Sequence, residues 1–537
     1  MQSNRRAIPL ICMVITLFGC SLGAGGVPDM PDGTASPAPP PRADDVMVLP
    51  RQVRPNILVI LTDDLDLKLG TLDYMPHLQE LMTAQGLTIE DFLISTPVCC
   101  PARSSILRGQ YTHNHQVYTN AAPLGGFEKA YALQIESSTL ATWLQAAGYR
   151  TALFGKYLNG YPFRDNRSYI PPGWREWYSP ARGSPYKEFN YYLNENGTLV
   201  GFGLGQKDYL TDVLSQSVDD FLRRSASIPA PFFIYLSTYA PHEPAVPAPR
   251  HAGLFPDLKA PRTPAFNEED VADKPERIRN DPMLDHTAIE NLDELYRQRV
   301  RSMQAVDEMI ARLLATLDEI GQIDNTFIIF TSDNGYHLGQ HRMMTGKGTA
   351  YEEDIRVPFI IRGPGIASDQ SLRGYLTGNI DIAPTIADLA GIIPPGYVDG
   401  RSLVPLWAAD LPAQADWRQG YLIEYYGSEA ETTSFDIQIS TSGLADQLDE
   451  PLDPAALSQS SPDAAFLAVR TSRYVYVEHG SGEIEFYDLD QDPFELNNLV
   501  PSADPLLLSR FSAWLKELAS CSGQSCRGAE QTGLRNR

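Results

Sequence analysis

Beyond residue 30 the chain has no run of the roughly 20 apolar residues needed to cross a bilayer, so the mature protein is expected to be soluble and globular. Positive charge is in short supply. Lys and Arg number 43 against 67 Asp and Glu, a formal charge of −24, which argues against nucleic acid as a partner and against a polybasic surface that would hold a long anionic polymer. An anionic substrate would have to be gathered by local cations, which weakly favours short or terminal substrates. Cysteine is sparse too, with 6 in 537 residues. Cys12 and Cys20 fall in an N-terminal signal, leaving the neighbours Cys99 and Cys100 and the pair Cys521 and Cys526. Export makes a local disulfide between the last two an expectation. Cys99 and Cys100 then lack distant partners, a bridge between the two neighbours being the alternative. There is no internal repeat.

The N-terminus reads Arg5-Arg6, an apolar stretch from Ala7 to Phe18, then Gly19-Cys20, the order of an export signal over residues 1–26. Leu17-Phe18-Gly19-Cys20 also resembles a bacterial lipobox, in which Cys20 becomes a lipidated first residue. The chain is therefore expected outside the cytoplasm, whether secreted, periplasmic or lipid-anchored at the cell surface, and to touch a membrane only through that anchor. Residues 27–50, rich in Pro, Ala, Gly and Asp, cannot bury enough surface to fold and read as a disordered linker.

The remainder divides by pattern into a large α/β part over 51–410 and a smaller part over 411–537. Asn56 to Leu61 is apolar and β-prone and ends in Thr62-Asp63-Asp64, the pattern of a buried parallel strand with polar residues at its carboxyl end. Thr151 to Phe154 before Gly155-Lys156, Phe232 to Leu236 before Ala240-Pro241-His242, and Thr326 to Phe330 before Thr331-Ser332-Asp333-Asn334 repeat that design. Carboxyl ends of parallel strands form the ligand crevice of open α/β sheets, so these ends point to one shared site; the alternative is a set of ordinary strand-to-loop transitions. Leu140, Trp143, Leu144 and Ala147 keep a helical face, with Ser137 or Ser138 as cap and Gly148 as stop, and a longer helix is expected from about Leu292 to Ile320. Past residue 410, Ala465 to Arg470, Tyr474 to Glu478 and Glu483 to Asp488 read as an antiparallel meander covered by a helix around Leu506 to Ala519.

The most specific stretch is Cys99-Cys100-Pro101-Ala102-Arg103-Ser104-Ser105-Ile106-Leu107-Arg108-Gly109. Pro101 suits the first turn of a helix and Gly109 its end, which puts Cys99 near a helix N-terminus, where free N–H groups and the dipole favour an anion. A thiol so placed could itself be a nucleophile of lowered pKa, but the sequence offers no clear His partner with a carboxylate behind it. Asp63, Asp64, Asp333 and Asn334 offer only oxygen ligands, the donor set of a hard cation, Ca²⁺ first and Mg²⁺ second. Either pair alone reads as readily as a cap or a turn.

Cys-x-Pro-x-Arg at Cys99, Pro101 and Arg103, followed by Ser and a Gly-terminated helix, resembles the signature of the type I sulfatase family. Similar blocks follow in the family's order: Pro55-Asn56-Ile57 through Asp63-Asp64, Gly155-Lys156, Ser332-Asp333-Asn334-Gly335, Lys347, Arg356-Val357-Pro358, Asp381 to Thr385, and Asp490 to Leu499. The resemblance implies an alkaline-phosphatase-like α/β fold, a mixed, largely parallel sheet between helices, with a smaller C-terminal antiparallel α+β domain. It implies that a formylglycine-generating maturation enzyme oxidises Cys99 to formylglycine, and that Asp63, Asp64, Asp333, Asn334 and the modified Cys99 hold the metal. The hydrated aldehyde then cleaves a sulfate ester through a covalent sulfate. Lys156, Lys347 and Arg103 look like the family cations that hold the hydrate and spread the charge of the sulfuryl oxygens, and His242 like the histidine that contacts the sulfate or assists the leaving group.

One departure narrows the branch. Many arylsulfatases carry a histidine two places after the first active-site lysine, where this chain has Leu158. Gly155 to Asn159, the double cysteine, Tyr111-Thr112-His113-Asn114-His115 and Asp333 to His337 resemble instead the branch of N-acetylglucosamine-6-sulfatases and extracellular glucosamine-6-sulfatases. That implies a 6-O-sulfated glucosamine-type saccharide, or another small sulfate ester, as substrate, with His337 standing in for the missing histidine; a structural role for His337 is the alternative. Rival readings are an arylsulfatase of other specificity, a phosphonate monoester or phosphodiester hydrolase with the same groups, and an inactive sulfated-glycan-binding protein.

Overall fold

An apolar strand that must bury both faces needs helices on both sides of its sheet. The computed structural model, which describes residues 47–48, 54–408, 410–427 and 465–534, builds such a sheet around β1 (Asn56–Thr62). In chain order there follow β2 (Leu87–Ile89), β3 (Arg150–Gly155), β4 (Glu176–Gly183), β5 (Tyr191–Glu195), β6 (Thr198–Phe202), β7 (Phe232–Ser237), β8 (Thr326–Ser332), β9 (Phe359–Arg362) and β10 (Gln370–Leu372). Their spatial order is β10-β2-β9-β8-β1-β7-β3-β4-β5-β6. From β8 to β4 the strands are parallel; β9 runs antiparallel to both β8 and β2, and β5 and β6 add an antiparallel edge. The strands expected from sequence fill the parallel centre, each extended a residue or two at its ends.

The covering helices are α1 (Cys99–Arg108), α2 (Leu140–Ala146), α3 (Leu210–Ser225), α4 (His286–Glu319) and α5 (Ile382–Leu389). Alternation along β1 splits the core: Ile57, Val59 and Leu61 face the layer of α1, α2 and α5, while Leu58 and Ile60 face α3 and α4. Two helix starts differ from expectation. α2 begins after Thr139, whose N–H is held by Thr142 Oγ1 at 2.9 Å, rather than at Ser137 or Ser138. α4 begins at His286, capped by Asp285, whose carboxylate accepts from Ala288 N at 2.8 Å. Its first turns are polar and solvent-facing, so they carry no apolar stripe to betray them.

At the C-terminal side β11 (Gly420–Tyr425), β12 (Phe466–Thr471), β13 (Tyr474–His479) and β14 (Ile484–Asp488) make an antiparallel sheet, to which β11 adds a strand the sequence pattern did not suggest. α6 (Pro505–Leu518) lays Phe511, Trp514 and Leu515 on it. The same core takes in Leu93, Val98, Tyr111, Tyr351 and Ile355, so this sheet is packed directly onto the segments that frame α1. Cys521 and Cys526 are joined as a disulfide just before and within α7 (Gln524–Thr532). Met47–Val48, at the end of the segment read as linker, pairs with Ile392–Ile393. The export signal, Cys20 and the remainder of residues 27–50 lie outside the described residues. No helix among the described residues is long and apolar enough to cross a membrane.

Candidate active site

Parallel register brings the acids together. Thr62 of β1 stands opposite Ser332 of β8, so Asp63-Asp64 and Asp333-Asn334 leave the sheet side by side, all four buried. Asp64 N donates to Asp333 Oδ1 (3.1 Å) and Asn334 Nδ2 to Asp64 Oδ1 (2.7 Å). Across β7, Gly155 pairs with Ser237. Its φ is +99° and a Cβ there would collide with Ser237 O, so glycine is required for β3 to turn and deliver Lys156, whose Nζ reaches Asp63 Oδ2 at 2.6 Å.

α1 starts after an extended Val98, carries Pro101 in its first turn and ends at a left-handed Gly109, with every side chain buried. Cys99, its first residue, donates through Sγ to Asp63 Oδ1 (3.4 Å) and lies 3.9 Å from Asp64 Oδ1. Lys347 Nζ is 2.8 Å from that sulfur and 2.5 Å from Asp64 Oδ1. One turn along, Arg103 donates from Nε to Asp333 Oδ2 (2.7 Å) and from Nη1 to Ser237 Oγ (2.6 Å) and Lys156 O (3.2 Å). Cys99 and Cys100 are both free, so no bridge joins the neighbours, and Cys100 packs into the apolar core. His242, on the turn after β7, has Nε2 3.5 Å from Asp64 Oδ2 and Nδ1 2.7 Å from Glu243 O.

Cys99, Arg103, Lys156, His242, Lys347 and the oxygen ligands are thus gathered in one place. His337 makes none of these contacts. It stands on a two-residue strand, His337–Leu338, paired with Thr345–Gly346 just before Lys347, and its Nδ1 is 3.0 Å from each Asp354 carboxylate oxygen.

Burial would raise the Asp63 carboxyl, but Lys156, His242, Arg103 and Lys347 hold it far below the usual carboxylate range; Asp64, also pushed up by burial, is lowered by Lys347 and His242. At Asp333 burial outweighs Arg103, and with Asp63 close by the carboxyl is pushed up to about 6. Burial lifts the Cys99 thiol well above its ordinary value despite Lys156 and Lys347, the opposite of the lowered pKa expected of a thiolate nucleophile. Burial alone would lower Lys156 and Lys347; Asp63 and Asp64 respectively raise them instead, so both are cations. Burial lowers His242. The donors fit a hard divalent cation: three buried carboxylates meet an amide whose Oδ1, on Asn334, is buried without a hydrogen-bond partner, and ligand atoms of Asp63, Asp64, Cys99 and His242 lie within 4.8 Å of one another.

Sequence reasoning passed over several supports. Arg299, fully buried in α4, donates to Asp64 O (2.6 Å), Asp66 Oδ1 (3.1 Å) and Pro241 O (3.2 Å) and lies 4.1 Å over the Tyr336 ring. A cation between Tyr296, Val300 and Met303 on the apolar stripe was the available signal. Tyr186, from the β4–β5 hairpin, sets its ring 4.6 Å from that of His242 and 5.2 Å from Lys156 Nζ; no local pattern marks it. The Tyr111 to His115 stretch binds the C-terminal part: His113 bonds Glu424 Oε2 (2.9 Å) and Cys521 O (2.8 Å), and Asn114 donates to Cys521 O (3.0 Å).

A mixed sheet with its chemistry gathered at the parallel strand ends, over a buried helix start, is the alkaline-phosphatase-like architecture. Within it, the chain belongs to the sulfatase family, a family of sulfuric ester hydrolases: the Sulfatase family model matches residues 55–392. It is 34% identical over 487 residues to N-acetylglucosamine-6-sulfatase of Homo sapiens, covering 88% of this chain and 86% of the relative. It is 41% identical over 383 residues to the extracellular sulfatase SULF-1 homologue of Drosophila melanogaster, covering 70% of this chain but spanning only 33% of that relative's length. A solved structure of a protein in complex with its substrate D-glucosamine-2-N,6-O-disulfate superposes with a TM-score of 0.68 over 90% of this chain and 100% of its own, at 22% identity, a likeness of fold.

Proposed function

We propose that this protein hydrolyses sulfate esters at residue 99, with the 6-O-sulfate of an N-acetylglucosamine-type sugar as its substrate. The observation that carries this reading is the convergence of Lys156, Lys347 and Arg103 on an oxygen-donor cluster around Cys99, at the buried start of α1. When bound, a divalent cation, Ca²⁺ in preference to Mg²⁺, supplies Lewis-acid polarisation, and Cys99 oxidised to formylglycine by a maturation enzyme supplies the attacking oxygen. Asp63, Asp64, Asp333 and Asn334 hold the cation, with residue 99 completing the set. Lys156 and Lys347 balance the charge of the sulfuryl oxygens, and Arg103 braces Asp333 and Ser237 beneath them. His242, its Nδ1 tied to Glu243 O, turns Nε2 toward the cluster, where it holds the sulfate.

The sugar specificity is supported by the name of the human relative and by Leu158 in place of the arylsulfatase histidine. Export, by secretion or with a lipid on Cys20, is supported by the extracellular naming of the fly relative. Sulfate release from 6-O-sulfated N-acetylglucosamine and 4-nitrophenyl sulfate, and phenol release from an aryl phosphonate monoester, compared on one preparation, test the reading. The sugar sulfate is expected to be the best substrate. Preference for the phosphonate would replace this function with that of the phosphonate hydrolase rival, and no turnover by protein carrying formylglycine and metal would leave a binding protein.

A further inference from the structure

We propose that Asp354 is the positioning residue that makes His337 the proton donor to the leaving sugar oxygen; this rests on the sulfatase reading above. Asp354 lies on the short helix Glu352–Ile355 and its side chain is fully buried. Its carboxylate is fixed before the histidine is considered: Oδ2 accepts from Thr349 N (3.0 Å) and Thr349 Oγ1 (2.6 Å), and the backbone O accepts from Gly335 N (2.9 Å). Both carboxylate oxygens then face His337 Nδ1 at 3.0 Å. An ionised carboxylate only accepts, so Nδ1 carries a proton and Nε2 is the atom left for a ligand.

The facing strand sets no side chain against Nε2. Opposite His337 in the hairpin stands Gly346, at φ +144°, where a Cβ would sit 3.4 Å from Nε2. The next residue is Lys347, which reaches Cys99. Asp281 lies within the fields of His337, Arg277 and Arg342. His242 is already committed, with one ring nitrogen on Glu243 O and the other toward Asp64, so His337 is the histidine free to serve the leaving group.

A sugar alkoxide leaves less readily than a phenolate and needs that proton. As the S–O bond to the sugar breaks, its electron pair goes to the sugar oxygen, which takes the proton from Nε2. The imidazole is left neutral with Nδ1–H on Asp354, and it regains a proton from solvent before the next turnover. Asp354 holds the ring in place, with Nδ1 turned to its carboxylate.

Matured, metal-loaded wild type, Asp354→Asn, His337→Gln, the double variant and Thr349→Val would be assayed on 6-O-sulfated N-acetylglucosamine and on 4-nitrophenyl sulfate. Asp354→Asn and His337→Gln should each lower kcat on the sugar sulfate about 100-fold, and on the aryl sulfate at least about tenfold less. Thr349→Val, which removes the hydroxyl donor to Asp354 and keeps the backbone one, should show the same pattern more weakly. The double variant should be within about twofold of His337→Gln, because Asp354 acts through the ring. Nitrogen-15 NMR of histidine-labelled protein, assigned with His337→Gln, should show the neutral ring of wild type protonated on Nδ1, leaving Nε2 as the nitrogen that gains and gives the proton, and a changed tautomer population in Asp354→Asn. Multiplying losses in the double variant, equal losses on both esters, or an unchanged tautomer would overturn the proposal. If wild type releases sulfate from neither ester, the sulfatase reading falls, and the tautomer result still decides whether Asp354 positions His337.

Discussion

Raising the pH should loosen the hold on the C-terminal part through one imidazole. His113 bonds Glu424 Oε2 through Nδ1 and Cys521 O through Nε2, and two acceptors on one ring require both N–H groups, hence the imidazolium. Burial opposes that charge, but the Glu424 carboxylate prevails and the group is pushed up to about 9, from 6.5 in an unconstrained chain. A value raised on folding means stability that is fully present below the unfolded value and lost as pH climbs through the folded one, so the contribution is complete near pH 6, falls between 6.5 and about 9, and is gone above. At 1.36 kcal/mol per pH unit its size is about 3 kcal/mol, and the side chain is only 14% exposed, so solvent screens little of it. Urea unfolding of wild type and His113→Gln at pH 6, 8 and 10 measures it, with the difference isolating this ring from other titrations. The wild-type advantage should shrink by about 3 kcal/mol from pH 6 to pH 10. An advantage constant across that range would show that the neutral ring suffices, and would refute the reasoning.

Cys99→Ala should abolish sulfate release while Cys100→Ala keeps substantial activity, because only the Cys99 sulfur faces Asp63 and Lys347; Cys99→Ser should also be inactive if maturation acts only on thiols, and mass mapping of residues 91–103 should find the aldehyde at 99 alone. Asp63→Ala and Asp333→Ala should each lose bound Ca²⁺ or Mg²⁺ together with activity, read by elemental analysis; stoichiometric zinc, or full activity after exhaustive chelation, would overturn the ligand assignment. Arg299→Met should cost about 3–5 kcal/mol in urea unfolding by stranding the buried Asp66 carboxylate. Adding Asp66→Asn should recover part of that loss.

Local patterning made the parallel centre of the sheet legible, since β1, β3, β7 and β8 each pair an apolar run with a polar end. The edges were not, because β5 and β6 are only five residues each and β6 buries none of them, so neither makes an apolar run. The cluster of Asp63, Asp64, Asp333 and Asn334 proposed to hold the metal could be read because two strand ends carry these residues in adjacent pairs. Arg299 and Asp354 could not: Arg299 acts on Asp66 across 233 residues of chain and Asp354 on His337 across 17, and neither pair leaves a spacing in the sequence. The Tyr111 to His115 stretch carried a true likeness to a substrate branch, yet its side chains fasten Glu424 and the Cys521 loop, so family likeness located the stretch without revealing what it touches.

The buried start of α1 also sets a schedule for biosynthesis. Cys99 has no exposed surface in the folded protein, and the whole of its helix is enclosed. A small ester needs only an aperture beside Lys347 and His242, but a modifying enzyme must draw the surrounding peptide into its own cleft. It must therefore act before closure. The group that caps the sulfur, Lys347, is made 248 residues after Cys99, an interval of about 12 to 50 s at ordinary rates of synthesis. If residue 99 is matured to formylglycine as proposed, oxidation falls within that interval or in the time before the emerging chain folds, and the share of active protein is set by a race between the maturation enzyme and the closing of the sheet over α1.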